Sequence, residues 1–312
     1  MAKILIAVGG GDSAEGWVEA FETHQPRWDI AIWDPSKPPT GAKYAVVWQP
    51  PLELFEHEKE LEAIFNLGAG VDALGINRVI PSSMPVYRIE DAGMGVQMAE
   101  FALYGILLAT QRFLPYEQQQ PKKEWRPHGP VLRTEWPVGV MGYGQIGAQV
   151  AQAAAQLGYP VAAWARRDRP TKGGVELFAG EDAFHDFLRR SRILINVLPL
   201  TDETRGIINA NTLGLLQKDG FLINMARGPH VVEADLLAAL DDDTLRGALL
   251  DVFHDEPLPA ESPFWTHPKV HVTPHIAGIS LHEECSRQIL EKLELLERGQ
   301  EPSGRVRPDQ QY

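Results

Sequence analysis

Short runs of β-branched and other apolar residues alternate with longer helical stretches along most of the chain. In the first third, the predicted strands are residues 4–8, 30–33, 44–48, 63–67 and 86–88. Helices are predicted between them at residues 15–23 and 52–59. This alternation is typical of βαβ units, which build a parallel sheet.

A different pattern begins after the last of these strands. Residues 96–109 form a long apolar run with small residues, which predicts a helix suited to lying between two bodies. Residues 111–137 are polar and contain prolines, and they include Trp125 and Trp136. Because solvated loops seldom carry that much aromatic surface, we interpret this segment as an extended arm that packs on a second subunit.

The alternation of strands and helices resumes after this arm. The segments that follow are residues 138–141, 145–156, 161–164, 181–189, 193–198, 221–224, 233–239, 247–250 and 270–272, and a charged helix closes the series at residues 281–298. A chain of 312 residues is long enough for two domains, since a domain usually holds about 100 to 200 residues. We therefore predict two α/β domains, each with a doubly wound parallel sheet.

The charge balance argues against some classes of partner. The formal net charge is −13 and the isoelectric point is about 5.2, so most of the surface would repel a nucleic acid or an anionic membrane. Cys285 is the one cysteine, which rules out an intrachain disulfide. The apolar run at residues 4–8 is too short for a signal peptide or a membrane span, so a cytoplasmic location is expected.

A glycine loop follows the strand at residues 138–141. Gly142, Gly144 and Gly147 form a Gly-x-Gly-x-x-Gly pattern, with Gln145 and Ile146 opening the next helix. The first glycine allows a tight turn, the second a close approach to a pyrophosphate, and the third close packing of the helix on the strand. Because a helix N-terminus also supplies free N–H groups for phosphates, we predict that this loop binds a dinucleotide.

A competing loop at residues 9–14 also follows a strand and reads Gly-x-Gly-x-x-Ala, with Asp34 at the end of the next strand. By pattern alone the two loops are nearly equal. Asp12 would place a negative charge where phosphates must bind, and the polar residues with catalytic character all follow Gly147. We interpret the first loop as an ordinary strand-to-helix turn; the alternative is that the N-terminal half binds the nucleotide.

The strand after the second loop indicates which nucleotide is bound. It ends at Trp164, and Ala165 holds the position where an NAD-binding protein would place an acidic residue. Arg166 and Arg167 follow at once. Guanidinium groups pair with a ribose 2′-phosphate, which a carboxylate would repel. NADP(H) is therefore the expected cofactor and NAD(H) the second choice. The alternative is that two solvated arginines beside Asp168 have no such role.

Four polar segments follow the later strands, at residues 196–201, 224–228, 251–257 and 273–278. Ligands of open parallel sheets bind beyond the carboxyl ends of the strands, so these segments should converge on one crevice. Residues expected to line the cofactor there are Leu198, Pro199, Met225 and Ala226. No spacing of metal ligands such as His-Glu-x-x-His occurs, so no metal is expected.

These polar segments contain an ordered series of short motifs. Ala226-Arg227-Gly228 is followed by Asp251-Val252-Phe253, by Glu256-Pro257 and by Pro274-His275-Ile276-Ala277-Gly278. With the glycine loop before them, they make nearly the whole chain resemble the D-isomer-specific 2-hydroxyacid dehydrogenase family. The resemblance implies a Rossmann-type nucleotide domain at residues 99–280, inserted into a discontinuous, flavodoxin-like substrate domain formed by residues 1–98 and 281–312. It also implies a homodimer.

The resemblance further implies that Arg227, Glu256 and His275 are the catalytic residues, and general chemistry assigns them the same roles. His275 suits the transfer of a proton, because its reference pKa of about 6.5 lets it give and take protons near neutrality. Glu256, paired with it, would stabilise the imidazolium and raise that pKa. Arg227 can hold a carboxylate or a carbonyl with its planar guanidinium.

Other residues enter through the resemblance or as hypotheses. Asp251 would lie near the nicotinamide carboxamide; the alternative is that it caps the end of its strand. Gly68, Ala69 and Gly70 would offer successive backbone N–H groups to the substrate carboxylate, and the alternative is a plain turn. Trp48 is expected to line the substrate pocket and to favour small substrates.

The expected reaction is the NADPH-dependent reduction of small 2-keto acids such as glyoxylate and hydroxypyruvate. One alternative is a dehydrogenase for another 2-keto acid. A second alternative is a nucleotide-sensing corepressor without catalytic activity, because some proteins of this fold bind partners instead of turning over a substrate. The compact length and the acidic surface argue against that alternative.

Overall fold

The computed structural model describes residues 3–9, 13–24, 27–74, 80–81 and 83–307, so residues 10–12 of the competing glycine loop lie outside the described residues. The chain divides into two compact units. Residues 1–94 and 280–312 form one, called here the terminal unit, and residues 95–279 form the other, called the central unit. Each unit is built on its own parallel sheet.

The terminal unit starts as an alternating series of strands and helices. Its elements are β1 (Lys3–Val8), α1 (Ala14–Thr23), β2 (Asp29–Ile32), β3 (Tyr44–Trp48), α2 (Leu52–His57), β4 (Ala63–Asn66) and β5 (Val86–Arg88). The strands lie in the order β2-β1-β3-β4-β5, and each described pairing is parallel. This is the flavodoxin-like order of a doubly wound sheet.

The central unit continues from a long helix into a second alternating series. Its helices are α3 (Met94–Thr110), α4 (Phe113–Gln119), α5 (Gln145–Gln156), α6 (Phe184–Arg190), α7 (Ala210–Gly214) and α8 (Glu233–Asp241). Its strands are β6 (Val138–Met141), β7 (Val161–Ala165), β8 (Glu176–Ala179), β9 (Ile193–Asn196), β10 (Gly220–Asn224), β11 (Leu245–Leu250) and β12 (Val270–Val272). They lie in the order β12-β11-β10-β9-β6-β7-β8. The order reverses beside β6, as in a Rossmann-type sheet.

The last helix, α9 (His282–Glu297), returns to the terminal unit and packs on the same face of its sheet as α1. On β1, Ile4 and Ile6 join the cluster on that face with Trp17 of α1, whereas Leu5 and Ala7 join the cluster on the other face. Successive side chains of a strand point to opposite faces, and both faces are covered here. This explains why the strands are continuous apolar runs and not alternating ones.

The core of the central unit includes the long helix α3. Gly105 of α3 lies against the sheet so closely that a Cβ there would be 2.5 Å from Cδ1 of Ile223, and the next residue, Ile106, is fully buried. The small residues of this helix therefore serve its packing on the central sheet. Within the described part of the chain, no helix is both long and apolar enough to cross a membrane.

Most of the predicted elements are confirmed, with ends that shift by a few residues, but the prediction of an extended arm at residues 111–137 is wrong in part. Helix α4 and a 3-10 turn at Arg133–Glu135 lie within this segment. Pro115 sits in the first turn of α4, where a missing N–H group costs no hydrogen bond. Trp136 is buried in the core of the central unit, whereas Trp125 is 99% exposed.

Candidate active site

The strands of the central sheet run in one direction, so their carboxyl ends lie along one edge of the sheet. In register, Met141 pairs with Asn196, Asn196 with Asn224, Asn224 with Leu250, and Leu250 with Val272. The loops that carry the predicted site residues of this unit therefore begin side by side. Ligands of open α/β sheets bind at this edge.

At each of the three glycine positions of the pattern after β6, glycine meets a different structural requirement. Gly142 has a φ of +101°, which is strained for any residue with a side chain. At Gly144 an added Cβ would meet no atom within 4 Å, so the space in front of it is open. At Gly147 an added Cβ would overlap the carbonyl oxygen of Gly142. The loop therefore combines a tight turn, an open approach and close packing of α5 on β6.

Helix α5 presents an N-terminus that can hold an anion. It begins at Gln145, and its N-cap Gly144 has no side chain that could accept the first N–H groups. Gln145 is exposed and Ile146 is half-buried. Free N–H groups at a helix start carry a partial positive charge. Together with the open space at Gly144, this geometry fits the pyrophosphate of a dinucleotide.

Basic side chains follow strand β7, which ends at the buried Ala165. Arg166 and Arg167 are both exposed, and no acidic residue occupies the strand end. The half-buried Trp164 before them donates its indole N–H to the carbonyl oxygen of Gly180 at 2.8 Å. Beyond them, Nη1 of Arg169 donates to the carbonyl oxygen of Tyr143 in the glycine loop at 2.9 Å. The sequence prediction did not include Arg169, although its position beside the arginine pair is a usable signal.

Two buried asparagines hold the loops that follow β9 and β10. Nδ2 of Asn196 donates to Oδ1 of Asn224 at 3.0 Å. The Oδ1 atom of Asn196 accepts from the Leu198 N–H at 3.2 Å, and Nδ2 of Asn224 donates to the Arg227 carbonyl at 3.1 Å. The sequence prediction gave these asparagines no role. Of the residues predicted to line the cofactor, Leu198, Met225 and Ala226 are buried and Pro199 is exposed.

Arg227 lies in a loop with a tightly fixed backbone. A Cβ on Gly228 would overlap the backbone of Phe253 and His254, so only glycine fits beside Arg227. His230 is fully buried, and its ring nitrogens lie 3.0 Å from the Arg227 carbonyl and 3.2 Å from the Pro199 carbonyl. The Arg227 side chain is half-buried, with Nη1 donating to the Ala226 carbonyl at 2.7 Å.

His275 and Glu256 form a hydrogen-bonded pair in the central unit. Nδ1 of His275 lies 2.7 Å from Oε2 of Glu256, and Oε1 of Glu256 accepts from the Phe253 N–H at 2.9 Å. Partial burial acts to raise the pKa of Glu256. The hydrogen bonds from His275 and Phe253, with the charges of His275 and Arg227, outweigh it and hold this pKa below its ordinary value. Glu256 is therefore an ionised partner for the histidine.

The backbone at His275 is unusual. Its φ is +55°, a conformation in which few non-glycine residues are found. The fully buried Asp251 supports it: one carboxylate oxygen accepts from Thr273 Oγ1 at 2.7 Å and from the Ile276 N–H at 2.8 Å. The other oxygen accepts from the Ala277 N–H at 2.9 Å. The carboxylate of Asp251 thus binds the loop after β12 and does not simply cap the end of its own strand.

The central unit therefore brings a hydrogen-bonded imidazole and carboxylate, and a guanidinium, to one edge of its sheet. Because Glu256 accepts the Nδ1 proton of His275, Nε2 is the nitrogen that can exchange a proton with a substrate. The charge of Arg227 acts on Glu256. Among the described residues, no group of three or more His, Cys, Asp or Glu side chains is arranged to hold a metal ion.

The remaining predicted site residues lie in the terminal unit. Trp48 is half-buried at the end of β3, and a Cβ on Gly68 would be 2.5 Å from Cζ3 of its ring. The Trp48 ring thus packs directly on the turn that follows β4. Ala69 and Gly70 of that turn are half-buried.

The family model and two similar named proteins that match this chain agree on one family. Residues 103–277 match the family model described as the NAD-binding domain of D-isomer-specific 2-hydroxyacid dehydrogenases, a range that contains the Gly142 loop and not the loop at residues 9–14. The chain is 42% identical to glyoxylate/hydroxypyruvate reductase A from Salmonella paratyphi B over 299 residues, 94% of this chain and 95% of that one. It is 43% identical to the protein of that name from Citrobacter koseri over 295 residues, 93% of this chain and 94% of that one.

Solved structures point the same way. A D-isomer-specific 2-hydroxyacid dehydrogenase from Xanthobacter autotrophicus, in complex with NADPH and MES, is 36% identical with a TM-score of 0.92, and the match covers 100% of both chains. An NADPH-dependent glyoxylate/hydroxypyruvate reductase from Sinorhizobium meliloti, in complex with NADP and sulfate, is 32% identical with a TM-score of 0.92 and the same coverage. This chain therefore belongs to the D-isomer-specific 2-hydroxyacid dehydrogenase family.

Proposed function

We propose that this protein is an NADPH-dependent reductase of small 2-keto acids, with glyoxylate and hydroxypyruvate as substrates. The observation that carries the proposal is the His275–Glu256 pair, 2.7 Å apart and under the charge of Arg227, in a member of a 2-hydroxyacid dehydrogenase family. The names of its relatives support the choice of substrates, and the NADPH and NADP bound to solved relatives support the cofactor.

The residues of the central unit fit the cofactor. The backbone of Gly142 and Gly144 and the N-terminus of α5 would hold the pyrophosphate, and the exposed Arg166 and Arg167 would pair with the ribose 2′-phosphate. When bound, the reduced nicotinamide supplies a hydride to C2 of the keto acid. Asp251 is assigned a place near the nicotinamide carboxamide, as the family resemblance implies.

His275 is assigned the role of general acid. As C2 gains a hydride, negative charge grows on the carbonyl oxygen, and Nε2 of the imidazolium gives that oxygen its proton. Glu256 keeps the ring in place through Nδ1 and stabilises its charged form before transfer. The product is the 2-hydroxy acid, and His275 is left neutral and takes up a proton for the next cycle.

Arg227 is assigned to the substrate. Its guanidinium can form a planar pair of hydrogen bonds with a carboxylate or hold the reacting carbonyl, which a lysine would do less well. In the terminal unit, the turn at Gly68, Ala69 and Gly70 is assigned to the carboxylate through its successive backbone N–H groups. Trp48 packs on Gly68 and is assigned to limiting the size of the substrate.

We also propose that the protein is a homodimer with residues 111–137 in the interface. Trp125 is 99% exposed, and a second copy of the chain would bury this tryptophan. Sedimentation of the wild type and of Trp125→Ser tests this: a dimer weakened by the substitution supports the interface. A monomeric wild type, or a dimer that the substitution leaves intact, argues against it.

The reaction itself is tested by following NADPH and NADH oxidation in parallel with glyoxylate, hydroxypyruvate and pyruvate. The proposal predicts rapid NADPH oxidation with glyoxylate or hydroxypyruvate and a lower kcat/KM with NADH. Preference for pyruvate over both of these acids would make the protein a dehydrogenase for another substrate of the same class. Tight nucleotide binding without turnover of any 2-keto acid would overturn the proposal.

A further inference from the structure

The turn after β4 in the terminal unit is held by side chains through its carbonyl oxygens. Nδ2 of Asn66 donates to the carbonyl oxygens of Gly68 and of Gly70, each at 2.8 Å. Nη1 of Arg88, at the end of β5, donates to the carbonyl oxygen of Ala69 at 3.3 Å. Three consecutive carbonyl groups are thus bound by two side chains.

The orientation of the Asn66 amide follows from these contacts. If its nitrogen and oxygen were exchanged, Oδ1 would face two carbonyl oxygens, so the assignment is set by the hydrogen bonds. Asn66 is fully buried, and its Oδ1 has no hydrogen-bond partner among the described residues. Leaving a buried acceptor without a hydrogen bond destabilises the folded protein. A buried polar atom without a partner calls for an explanation. Here the explanation is the pair of hydrogen bonds that Nδ2 of the same amide donates to the turn.

The carbonyl contacts determine where the N–H groups of the turn point. In a trans peptide the N–H lies opposite to the C=O of the same unit. Since the carbonyls of Gly68, Ala69 and Gly70 point to Asn66 and Arg88, the N–H groups of Ala69, Gly70 and Val71 point away from them. Within the described residues, none of these three N–H groups donates a hydrogen bond. Consecutive free N–H groups of this kind form a concave site for an anion.

We propose that Asn66 and Arg88 are positioning residues that hold this turn ready for the carboxylate of the substrate. The inference rests on the proposed function, because it concerns the carboxylate of the keto acid. Neither side chain needs to touch the substrate, because Asn66 binds two carbonyl oxygens and Arg88 one on the opposite side of the turn. Without them the peptide units could rotate. Substrate binding would then have to order the turn, which lowers the affinity for the substrate.

The test compares Asn66→Leu, Arg88→Met and Arg88→Lys with the wild type. Leucine has nearly the shape of asparagine but donates no hydrogen bond, and lysine keeps the charge and one donor that methionine lacks. The probe is oxamate, a 2-oxo carboxylate that does not accept a hydride. Its competitive inhibition constant against glyoxylate reports carboxylate binding apart from turnover, and a direct titration gives the dissociation constant of NADPH. The control is Arg27→Met, at an exposed arginine of the same unit that pairs with Glu297.

Loss of two hydrogen bonds should raise the inhibition constant of oxamate and the KM of glyoxylate about tenfold in Asn66→Leu. The dissociation constant of NADPH should stay unchanged, because the nucleotide loop lies in the other unit. Arg88→Met should show a smaller rise, Arg88→Lys should recover most of it, and Arg27→Met should match the wild type. If Asn66→Leu does not fold, the Arg88→Met and Arg88→Lys pair decides alone.

Two results would overturn the inference alone. One is a folded Asn66→Leu, or Arg88→Met where the former does not fold, with oxamate inhibition within twofold of the wild type. The other is a rise in the NADPH dissociation constant that equals the rise for oxamate, which indicates general damage to the fold. A wild type that neither reduces glyoxylate nor binds oxamate would instead remove the proposed function, and this inference with it.

Discussion

The backbone carbonyl oxygen of Asp251 accepts a hydrogen bond from the backbone N–H of His275 at 2.9 Å. The carboxylate of the same residue binds the N–H groups of Ile276 and Ala277. The His275 backbone, with its φ of +55°, is therefore fixed from both sides by one buried residue at the end of β11. A side chain that must meet a reacting atom gains from such a rigid support.

Asp251→Asn should lower both stability and activity. Asparagine keeps the shape but offers one acceptor oxygen, so its amide group would face N–H donors. We expect a loss of roughly 1–3 kcal/mol in the free energy of unfolding and a fall in kcat larger than any change in the KM of NADPH. Denaturant unfolding and steady-state kinetics measure both. Asp255→Asn, at an exposed position of the same segment, is the control, and equal stability of the two variants would contradict the account.

Replacing Arg166 and Arg167 together with serine should reduce the preference for NADPH. Charge-assisted contacts to the 2′-phosphate would be lost, so the KM of NADPH should rise on the order of tenfold or more, while the KM of NADH should change little. Arg189→Ser, at an exposed arginine of α6, should leave both values unchanged. A parallel rise for both nucleotides would show that the arginines do not distinguish them.

Gly147→Ala should lower the stability of the fold, whereas Gly144→Ala should lower the affinity for the nucleotide. At Gly147 the methyl group overlaps the Gly142 carbonyl, so the free energy of unfolding should fall by at least about 2 kcal/mol. At Gly144 the space is open, so stability should stay close to that of the wild type while nucleotide affinity drops, because the methyl group occupies the approach to the pyrophosphate. Thermal unfolding and nucleotide titration separate the two. Retained nucleotide affinity in Gly144→Ala would argue against this loop as the binding site.

Glu256 should make stability depend on pH in the acid range. Its pKa in the folded protein lies below the ordinary 4.5, so its ionised form contributes stability above that pH, and this contribution is lost as the pH falls through the folded value. The wild type should therefore lose more free energy of unfolding than Glu256→Gln between neutral pH and the region below pH 4.5. Glu203→Gln, at an exposed position, should follow the wild-type curve. Identical pH dependence of wild type and Glu256→Gln would contradict the pairing with His275.

Local sequence patterns were sufficient to predict the strands that are buried on both faces and the glycine loop, because both depend on residues that are close in sequence. Strand β8 (Glu176–Ala179) escaped prediction, since it is a half-exposed edge strand without a β-branched residue. Helix α7 (Ala210–Gly214) is only five residues long and lacks a helical period. In the structure its N-terminus is capped by Asn209 and Thr212, whose side chains bind each other's backbone N–H groups.

Contacts between distant segments were beyond local patterns. The family resemblance predicted that Asp251 lies near the nicotinamide carboxamide. Its hydrogen bonds to the Thr273–Ala277 loop could not be predicted in this way, because they require β11 and β12 to lie side by side. By sequence, Asn66 lies inside the strand predicted at residues 63–67, and its hydrogen bonds to the turn become visible only in the structure. His230 likewise joins two loops that are 31 residues apart in sequence.

The most direct test of the account is the kcat/KM for hydroxypyruvate in His275→Ala, with His254→Ala as the control in a neighbouring segment. Loss of the proton donor should lower kcat/KM by roughly 10² to 10⁴, with the NADPH dissociation constant within about twofold of the wild type. His254→Ala should retain the wild-type rate. A His275→Ala variant that keeps its rate within tenfold, or one that loses NADPH binding to the same degree, would contradict the role of His275 as general acid.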